Sequence, residues 1–309
     1  MTVLRIGTRA SALATAQSAN IARQLRDRTG QETELVEIST EGDRSTRLLT
    51  ELGGQGVFVS ALRDALVAGR IDVAVHSLKD LPTTPDPAVS LAAIPAREDP
   101  RDVVVARDGL TLAGLPHGAT VATGSPRRAA QINALGLGVE VVPIRGNVDT
   151  RMNRVREGIV DAVVLARAGL VRLGRLDEAT EVLDPLQMLP APGQGALACE
   201  CRADDVTVEH LLHDALEDAA SRLVVSAERS LLATLEAGCS APVGALGDLA
   251  LGDDGDELWL RAFVGDISGA PTIKMSTTGS PDDAVATGAR LAVEMLAKGA
   301  SSLMKEAVS

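Results

Sequence analysis

The segment PAREDPRD, residues 95–102, interrupts a regular alternation of strand-like and helix-like patterns. A similar alternation follows it and ends at a second break, LPAPGQG, at residues 189–195. A chain that crosses at about residue 98, builds a second lobe and crosses back at about residue 192 makes two lobes with a cleft. The alternation also predicts parallel sheets with crossover helices.

The strand-like runs on either side of these breaks are short and rich in β-branched residues. They are VLRIGT, TELVEI, IDVAVHS, VSLAAI, DVVVA, ATVAT, VEVVPI and DAVVLA. Ser11 suits the N-cap of a helix over about residues 12–28 that Gly30 ends, and VFVSALRDALVAG and NVDTRMNRVREG are further helical patterns. From about residue 217 a long helical region, the strand ELWLRAFVG and the helix DDAVATGARLAVEMLAKG predict a smaller α+β domain.

Composition fits a globular protein of more than one domain. The chain has 309 residues, of which 45% are apolar, and no run approaches the roughly 18 apolar residues of a membrane helix. The N-terminal VLRIGTR has arginines where a secretory signal carries apolar residues, so we expect a cytoplasmic protein. Cys199 and Cys201 are then predicted to be reduced core residues. The net charge of −12 argues against nucleic acid or an anionic membrane as the main partner.

HSLKDLP, residues 76–82, ends the predicted strand IDVAVHS. Ligands of open α/β sheets collect beyond the carboxyl ends of strands, so Lys79 and Asp80 are candidate reactive groups. The alternative is an ordinary solvated ion pair. Lys79 is also the one lysine among the first 273 residues.

Two arginine-containing segments predict an anion site. In TGSPRR, residues 123–128, the serine suits an N-cap and the proline the first helical position, which places Arg127 and Arg128 at the positive end of a helix. Arg145 and Arg151 in PIRGNVDTR repeat this design on the neighbouring strand. Backbone donors together with four guanidiniums favour an anionic ligand. The alternative is a plain helix start with exposed arginines.

Two further patterns carry weaker indications of chemistry. EGDRSTRLLTELGGQGVF, residues 41–58, lacks the spacing of a phosphate loop, so a lid or a simple turn is predicted. His210 and His213 lie three residues apart on a predicted helix without an evident third ligand. We therefore predict a solvated helix face there and no metal site.

The motifs, taken in order, resemble those of the porphobilinogen deaminase family. The resemblance runs from IGTRAS through HSLKDLP, REDPRD, TGSPRRAAQ, IRGNVDTR and PGQGALACECR to AERSLLATLEAGCSAPVG. It implies an α/β protein with two lobes resembling type II periplasmic binding proteins around a cleft, plus a small C-terminal α+β domain. The expected boundaries are 1–97 with 193–216 for the catalytic lobe, 98–192 for the anion- and cofactor-binding lobe, and 217–309 for the third domain.

The same resemblance implies a transferase of haem biosynthesis. Members of the family join four porphobilinogen molecules head to tail, with loss of ammonia, into the linear tetrapyrrole hydroxymethylbilane. They use a dipyrromethane cofactor as a primer, and Cys239 matches the cysteine that holds it through a thioether. We also expect a monomer.

The resemblance assigns roles to residues already noted. Asp80 matches the catalytic carboxylate, with Lys79 beside it. The implied cofactor-binding residues are Ser77, Lys79, Thr123, Ser125, Arg127, Arg128 and Arg172, and the implied substrate-binding residues are Arg9, Ser11, Arg145, Arg151 and Gln194. Because Arg127 and Arg128 are expected to be exposed, replacing them should impair cofactor loading more than folding. Glu51 and Gln55 stand where relatives often carry lysine, and Gly124 where a second serine is common.

Two hypotheses from other classes remain open. A cytoplasmic two-lobed binding protein for a polyanionic small molecule explains the arginines but has no use for Cys239 or Asp80. A lysine-dependent Schiff-base enzyme uses Lys79 but leaves the arginines and the cysteine unexplained. The intact mass of the purified chain distinguishes both from a protein that carries a covalent cofactor.

Overall fold

The computed structural model describes residues 3–38, 57–238, 241–252 and 255–305. Cys239 and nearly all of the Gly-rich segment lie outside the described residues. The chain divides into two compact units, Met1–Glu98 with Ala196–Arg222 and Asp99–Gly195 with Leu223–Ser309. The three-domain boundaries given above stay a prediction.

The helices and strands of the described residues include the predicted ones, in their predicted order. They are β1 (Leu4–Thr8), α1 (Ala12–Thr29), β2 (Thr33–Glu37), α2 (Val57–Val67), β3 (Val73–Ser77), β4 (Val89–Ala93), β5 (Asp102–Ala106), β6 (Thr120–Ala122), α3 (Pro126–Ala134), β7 (Glu140–Val142), α4 (Val148–Arg156), β8 (Ala162–Ala166), α5 (Arg167–Arg172), β9 (Glu181–Val182), β10 (Leu197–Arg202), α6 (Val206–Leu216), α7 (Ala219–Thr234), β11 (Val243–Gly252), β12 (Gly255–Gly265), β13 (Thr272–Gly279), α8 (Ala284–Ala297) and α9 (Ala300–Lys305).

The first unit is built on a five-stranded sheet of order β2-β1-β3-β10-β4. Strand β1 is parallel to β2 and β3, whereas β10 is antiparallel to β3 and β4. Helix α1 begins where the side chain of Ser11 accepts the N–H of Ala14, and it ends at Gly30, which has a φ of 70°. Both helix ends match the prediction, because each depends on local backbone chemistry.

The second unit contains a five-stranded sheet of order β7-β6-β8-β5-β9. Strand β6 is parallel to β7 and β8, but β5 is antiparallel to β8 and β9. The prediction of parallel sheets is therefore wrong for β5 and β10. Each of these strands follows a break at which the chain passes from one unit to the other, so no crossover helix on the sheet face fixes its direction.

The C-terminal part of the second unit is a three-stranded antiparallel sheet, β11-β12-β13. Helix α8 packs against β12 and β13 of this sheet, which confirms the predicted α+β pattern. Glu228 of α7 is fully buried and accepts the N–H of Gly193 at 2.6 Å and the N–H of Gly247 at 2.9 Å. The carboxylate of Glu228 thus binds both the second crossing segment and β11 to α7.

Cys199 and Cys201 are buried in the core of the first unit, as predicted. Burial raises the pKa of the Cys199 thiol to about 12 and that of the Cys201 thiol to about 11. No helix among the described residues is long and apolar enough to cross a membrane.

Candidate active site

The candidate site residues of the first unit lie at one edge of its sheet. Arg9 follows β1 and Ser77 ends β3, and because these strands are parallel neighbours, both residues stand at the carboxyl edge. The turn Leu78–Asp80 follows directly, with Lys79 half-buried and Asp80 exposed. Leu78 is fully buried, and its N–H donates to the carbonyl of Ala196 at 3.0 Å. A buried anchor therefore holds the turn while the Asp80 carboxylate faces solvent.

Gln17 is a polar residue of this edge that the sequence analysis missed. It is buried on the core-facing stripe of α1, and its Nε2 lies 3.1 Å from Oγ of Ser77. Its spacing with Ile21 and Leu25 was an available signal, since a glutamine on an otherwise apolar stripe needs a buried partner.

In the second unit, TGSPRR forms the predicted helix start. Oγ of Ser125 accepts the N–H of Arg128 at 3.5 Å, and Oγ1 of Thr123 accepts the N–H of Ser125 at 3.2 Å. Pro126 occupies the first turn of α3. The hydroxyl of Ser125 thus caps the helix that carries the two arginines, and the hydroxyl of Thr123 holds the capping residue.

The expectation that Arg127 and Arg128 are exposed is wrong. They are 3% and 5% exposed, and both contact the fully buried carboxylate of Asp102, at 2.8 and 2.7 Å. Although burial alone raises the pKa of Asp102, the two guanidinium charges hold it well below its usual range. Local sequence patterns do not reveal this pairing, because Asp102 lies 26 residues before Arg128. An aspartate at the start of the apolar run DVVVA was the available signal, since a buried carboxylate requires a cation.

Arg145 and Arg151 follow the neighbouring strand β7 and lie at the sheet edge that also carries Arg128, as predicted. Strands β6 and β7 are parallel neighbours, so the segments that follow them share an edge. Burial, followed by the positive charges of Arg128 and Arg145, lowers the pKa of Arg151 to about 10. Nε of Arg151 donates to the carbonyl of Gly146 at 2.9 Å. Crowded, partly desolvated guanidiniums of this kind favour an anionic ligand.

Gly124 permits the two segments to approach closely. A Cβ atom at this position would lie 2.7 Å from the carbonyl oxygen of Ile144 and 3.9 Å from Nη2 of Arg151. The first distance is too short for any side chain without a backbone shift. The glycine that departs from the family pattern therefore has a packing reason here.

The second crossing segment completes the cluster. Nε2 of Gln194 donates to the carbonyl of Pro100 at 2.6 Å and to Oδ1 of Asp102 at 2.8 Å. Arg172 donates to the carbonyl of Gly195 at 2.6 Å. The structure thus brings Arg127, Arg128 and Gln194 together around one carboxylate.

The candidate residues consequently fall into two groups, one in each unit. The predicted anchor, Cys239, and the Gly-rich segment 41–58, apart from its last two residues, lie outside the part of the chain that the structure describes. His210 and His213 are exposed, as predicted. The described residues contain no group of three or more His, Cys, Asp or Glu side chains arranged to hold a metal ion.

An α/β scaffold with clustered guanidiniums at a sheet edge is typical of proteins that bind anionic ligands. A family model described as porphobilinogen deaminase, dipyromethane cofactor binding domain, matches residues 4–210. A second, porphobilinogen deaminase C-terminal domain, matches residues 222–297. The chain belongs to the porphobilinogen deaminase family.

Curated relatives agree with this assignment. Porphobilinogen deaminase 1 of Streptomyces coelicolor is 56% identical over 312 residues, covering 98% of each chain. Porphobilinogen deaminase of Mycobacterium tuberculosis is 55% identical over 307 residues, again covering 98% of each.

Solved structures of periplasmic proteins show a weaker likeness. The BvgS VFT2 domain of Bordetella pertussis has a TM-score of 0.44 and 19% identity, covering 74% of this chain and 92% of that one. A periplasmic substrate-binding protein of Coxiella burnetii has a TM-score of 0.44 and 13% identity, covering 68% and 90%. From the sheets of the structure itself, the predicted class of α/β lobes with a small C-terminal α+β part is confirmed.

Proposed function

We propose that this chain joins four porphobilinogen molecules head to tail into hydroxymethylbilane and releases ammonia at each step. Family membership makes it a transferase of tetrapyrrole synthesis. The observation that carries the proposal is the crowding of Arg128, Arg145 and Arg151, which lowers the pKa of Arg151. Such a cluster suits a substrate that carries an acetate and a propionate on every ring.

The second-unit residues fit the acidic cofactor of the matched domain. Arg127 and Arg128 are held by Asp102, so their guanidiniums are ordered before a ligand arrives. Ser125 and Thr123 cap the helix start beside them, and Arg172 lies against the crossing segment. When bound, the dipyrromethane supplies the primer to which substrate units are added. We assign its thioether attachment to Cys239 on the family motif GCSAPVG.

The first-unit residues fit the chemical step. Loss of ammonia from the aminomethyl group of porphobilinogen places positive charge on the pyrrole nitrogen. The carboxylate of Asp80 stabilises that charge, which exists only near the transition state, and so raises the rate more than the affinity. The ammonium of Lys79 binds a substrate carboxylate beside it, and Arg9 and Ser11 bind the incoming substrate.

The remaining parts of the proposal concern location and assembly. The chain acts in the cytoplasm as a monomer and has no nucleic-acid partner. Its net charge of −12 argues against binding to nucleic acid. Sedimentation of the purified chain tests the monomer, since a dimer doubles the measured mass.

The test combines an assay with intact mass spectrometry of protein purified from a strain that makes tetrapyrroles. We expect ammonia and hydroxymethylbilane to be released from porphobilinogen, and a protein mass above that of the sequence by two pyrrole units. Cys239→Ser should show the bare mass and no activity, with Cys201→Ser as a control that retains both. Bare mass in the wild type would contradict the thioether, and binding without ammonia release would favour the anion-binding alternative.

A further inference from the structure

A cluster of two buried side chains, His76 and Glu200, and the partly buried Arg63 lies beside the strand end that carries Lys79 and Asp80. Arg63 of α2 binds Glu200 of β10 with two hydrogen bonds, from Nε at 3.0 Å and from Nη2 at 2.6 Å. Nε2 of His76 on β3 lies 3.3 Å from Oε2 of the same carboxylate, and the two side chains are only 4% and 3% exposed. Neither Arg63 nor Glu200 belongs to the candidate site described above.

Strand register explains how the three side chains meet. In the antiparallel pair of β3 and β10, Glu200 stands opposite Ala74 and Ala198 opposite His76. Alternate residues share a face, so His76 and Glu200 are diagonal neighbours on the face that bears Ala74. Ala74 packs with Leu62 and Leu66 of α2, and the same helix contributes Arg63.

The carboxylate of Glu200 stays ionised although its side chain is buried. Burial alone raises the pKa of Glu200, but the contacts from His76 and Arg63 lower it to about 2. His76 faces the carboxylate without the alignment of a full hydrogen bond, and its Nε2 has no other partner among the described residues. Buried ion pairs of this kind are weak contributors to stability compared with apolar packing. This favours a role in holding β3 and β10 in a fixed orientation.

The cluster is connected to the candidate catalytic carboxylate through the strand end and two hydrogen bonds. His76 is followed by Ser77 and then by the turn Leu78–Asp80. Gln17 holds Ser77 through its side chain, and the carbonyl of Ala196 accepts the N–H of Leu78 just before β10 begins. We therefore expect a shift of β10 relative to β3 to move the turn that carries Asp80.

We propose that Arg63, Glu200 and His76 are positioning residues that hold the β3 strand end, and with it Asp80, in the orientation needed for ammonia release. This inference rests on the proposed function. The cluster fixes β10 against β3 from the α2 side, while Gln17 holds Ser77 by a contact from α1. Removing the cluster should slow the chemical step and leave substrate affinity nearly unchanged, because Arg9, Arg145 and Arg151 remain in place.

The test is the double variant Arg63→Met/Glu200→Gln, which removes both charges together and leaves no lone buried ion. The matched control is the single variant Arg5→Met, which leaves Asp72 in contact with Arg202 of β10 at 3.3 Å. Arg5 also binds its carboxylate through two side-chain hydrogen bonds, at 2.9 and 2.8 Å, but Asp72 precedes the other end of β3. For both variants, kcat and KM for porphobilinogen are measured with the free energy of unfolding.

We expect the cluster variant to lose about 10- to 100-fold in kcat with KM changed by less than about twofold. The control should keep kcat within about twofold of wild type, even where its loss of stability is similar. His76→Asn, which retains the ion pair, should show the same selective loss of kcat. Arg63→Lys, which keeps the positive charge, should lose less kcat than the double variant. His76→Asn also provides the test if the double variant does not fold.

An unchanged kcat in the folded cluster variants, or an equal loss of kcat in the control, would overturn the positioning role. A rise in KM without a fall in kcat would also overturn it. A wild-type chain that releases no ammonia from porphobilinogen would instead overturn the proposed function, and this inference with it.

Discussion

Asp102 is the residue that connects the arginines of the proposed anion site. Its carboxylate lies between Arg127 and Arg128, so it orders both guanidiniums and offsets part of their charge. Gln194 donates to the same carboxylate from the second crossing segment. The arginines consequently stabilise the fold in addition to the ligand-binding role proposed above, so we expect their replacement to have two separable effects.

Arg127→Leu should destabilise the protein, contrary to what an exposed helix start implies. The change leaves Asp102 with one cation fewer and the carbonyl of Leu189 without the Nη1 donor of Arg127. Leaving a buried charge without any partner costs about 3–5 kcal/mol, and we expect a smaller loss here because Arg128 and Gln194 still contact Asp102. Urea unfolding measures the loss, with Arg154→Leu as an exposed control expected to change stability by less than about 1 kcal/mol. Equal stabilities for the two variants would show that the Asp102 pairing is unimportant.

Asp80→Asn should fold normally and lose about two to four orders of magnitude in turnover, by analogy with other preorganised electrostatic groups. The amide keeps the shape of the side chain but lacks the negative charge that, under the proposed function, stabilises positive charge on the pyrrole nitrogen. Single-turnover release of ammonia from porphobilinogen is the measurement, and Asp27→Asn, an exposed residue of α1, is the control. If ammonia leaves Asp80→Asn enzyme at the wild-type rate, the proposed role of the carboxylate is wrong.

At the scale of elements, local signals were the reliable ones. The caps at Ser11 and Ser125 were predicted because they depend on a few consecutive residues. The directions of β5 and β10 were not, because a strand pattern of five or six residues looks the same in either direction. The buried partners Gln17 and Asp102 were missed for a similar reason, since each meets its partner across the fold.

Gly124→Ser tests the close approach of the segments that follow β6 and β7. The new Cβ would meet the carbonyl of Ile144, so the segment that carries Arg145 must shift. We expect a stability loss of about 1–3 kcal/mol and a raised KM for porphobilinogen. Gly124→Ala is the comparison, because it has the same Cβ without the hydroxyl. If the serine variant alone has wild-type KM and stability, a hydrogen bond outweighs the steric conflict.

For the whole molecule, several carboxylates with lowered pKa values predict loss of stability in acid. They are Asp72, Asp99, Asp102, Asp161, Glu178 and Glu200. A carboxyl whose folded pKa is lowered stabilises the fold above its unfolded pKa of about 4 and loses this contribution as pH falls toward the folded value.

We therefore expect the free energy of unfolding to be nearly constant from pH 7 to about 5 and to fall steadily between about pH 4.5 and 2. Urea unfolding over a pH series measures it. Arg63→Met/Glu200→Gln should show a shallower fall, because it lacks one of these carboxylates. A free energy that does not change down to about pH 2.5 would contradict the ion-pair network.

The two buried cysteines have a consequence for self-protection. Under the proposed function, ammonia loss leaves a carbon electrophile that reacts readily with sulfur. A thiol attacks as its thiolate, and at neutral pH the raised pKa values of Cys199 and Cys201 keep almost all of both side chains protonated within the core. We therefore expect that alkylation by the reaction's own electrophile does not occur at these two buried thiols.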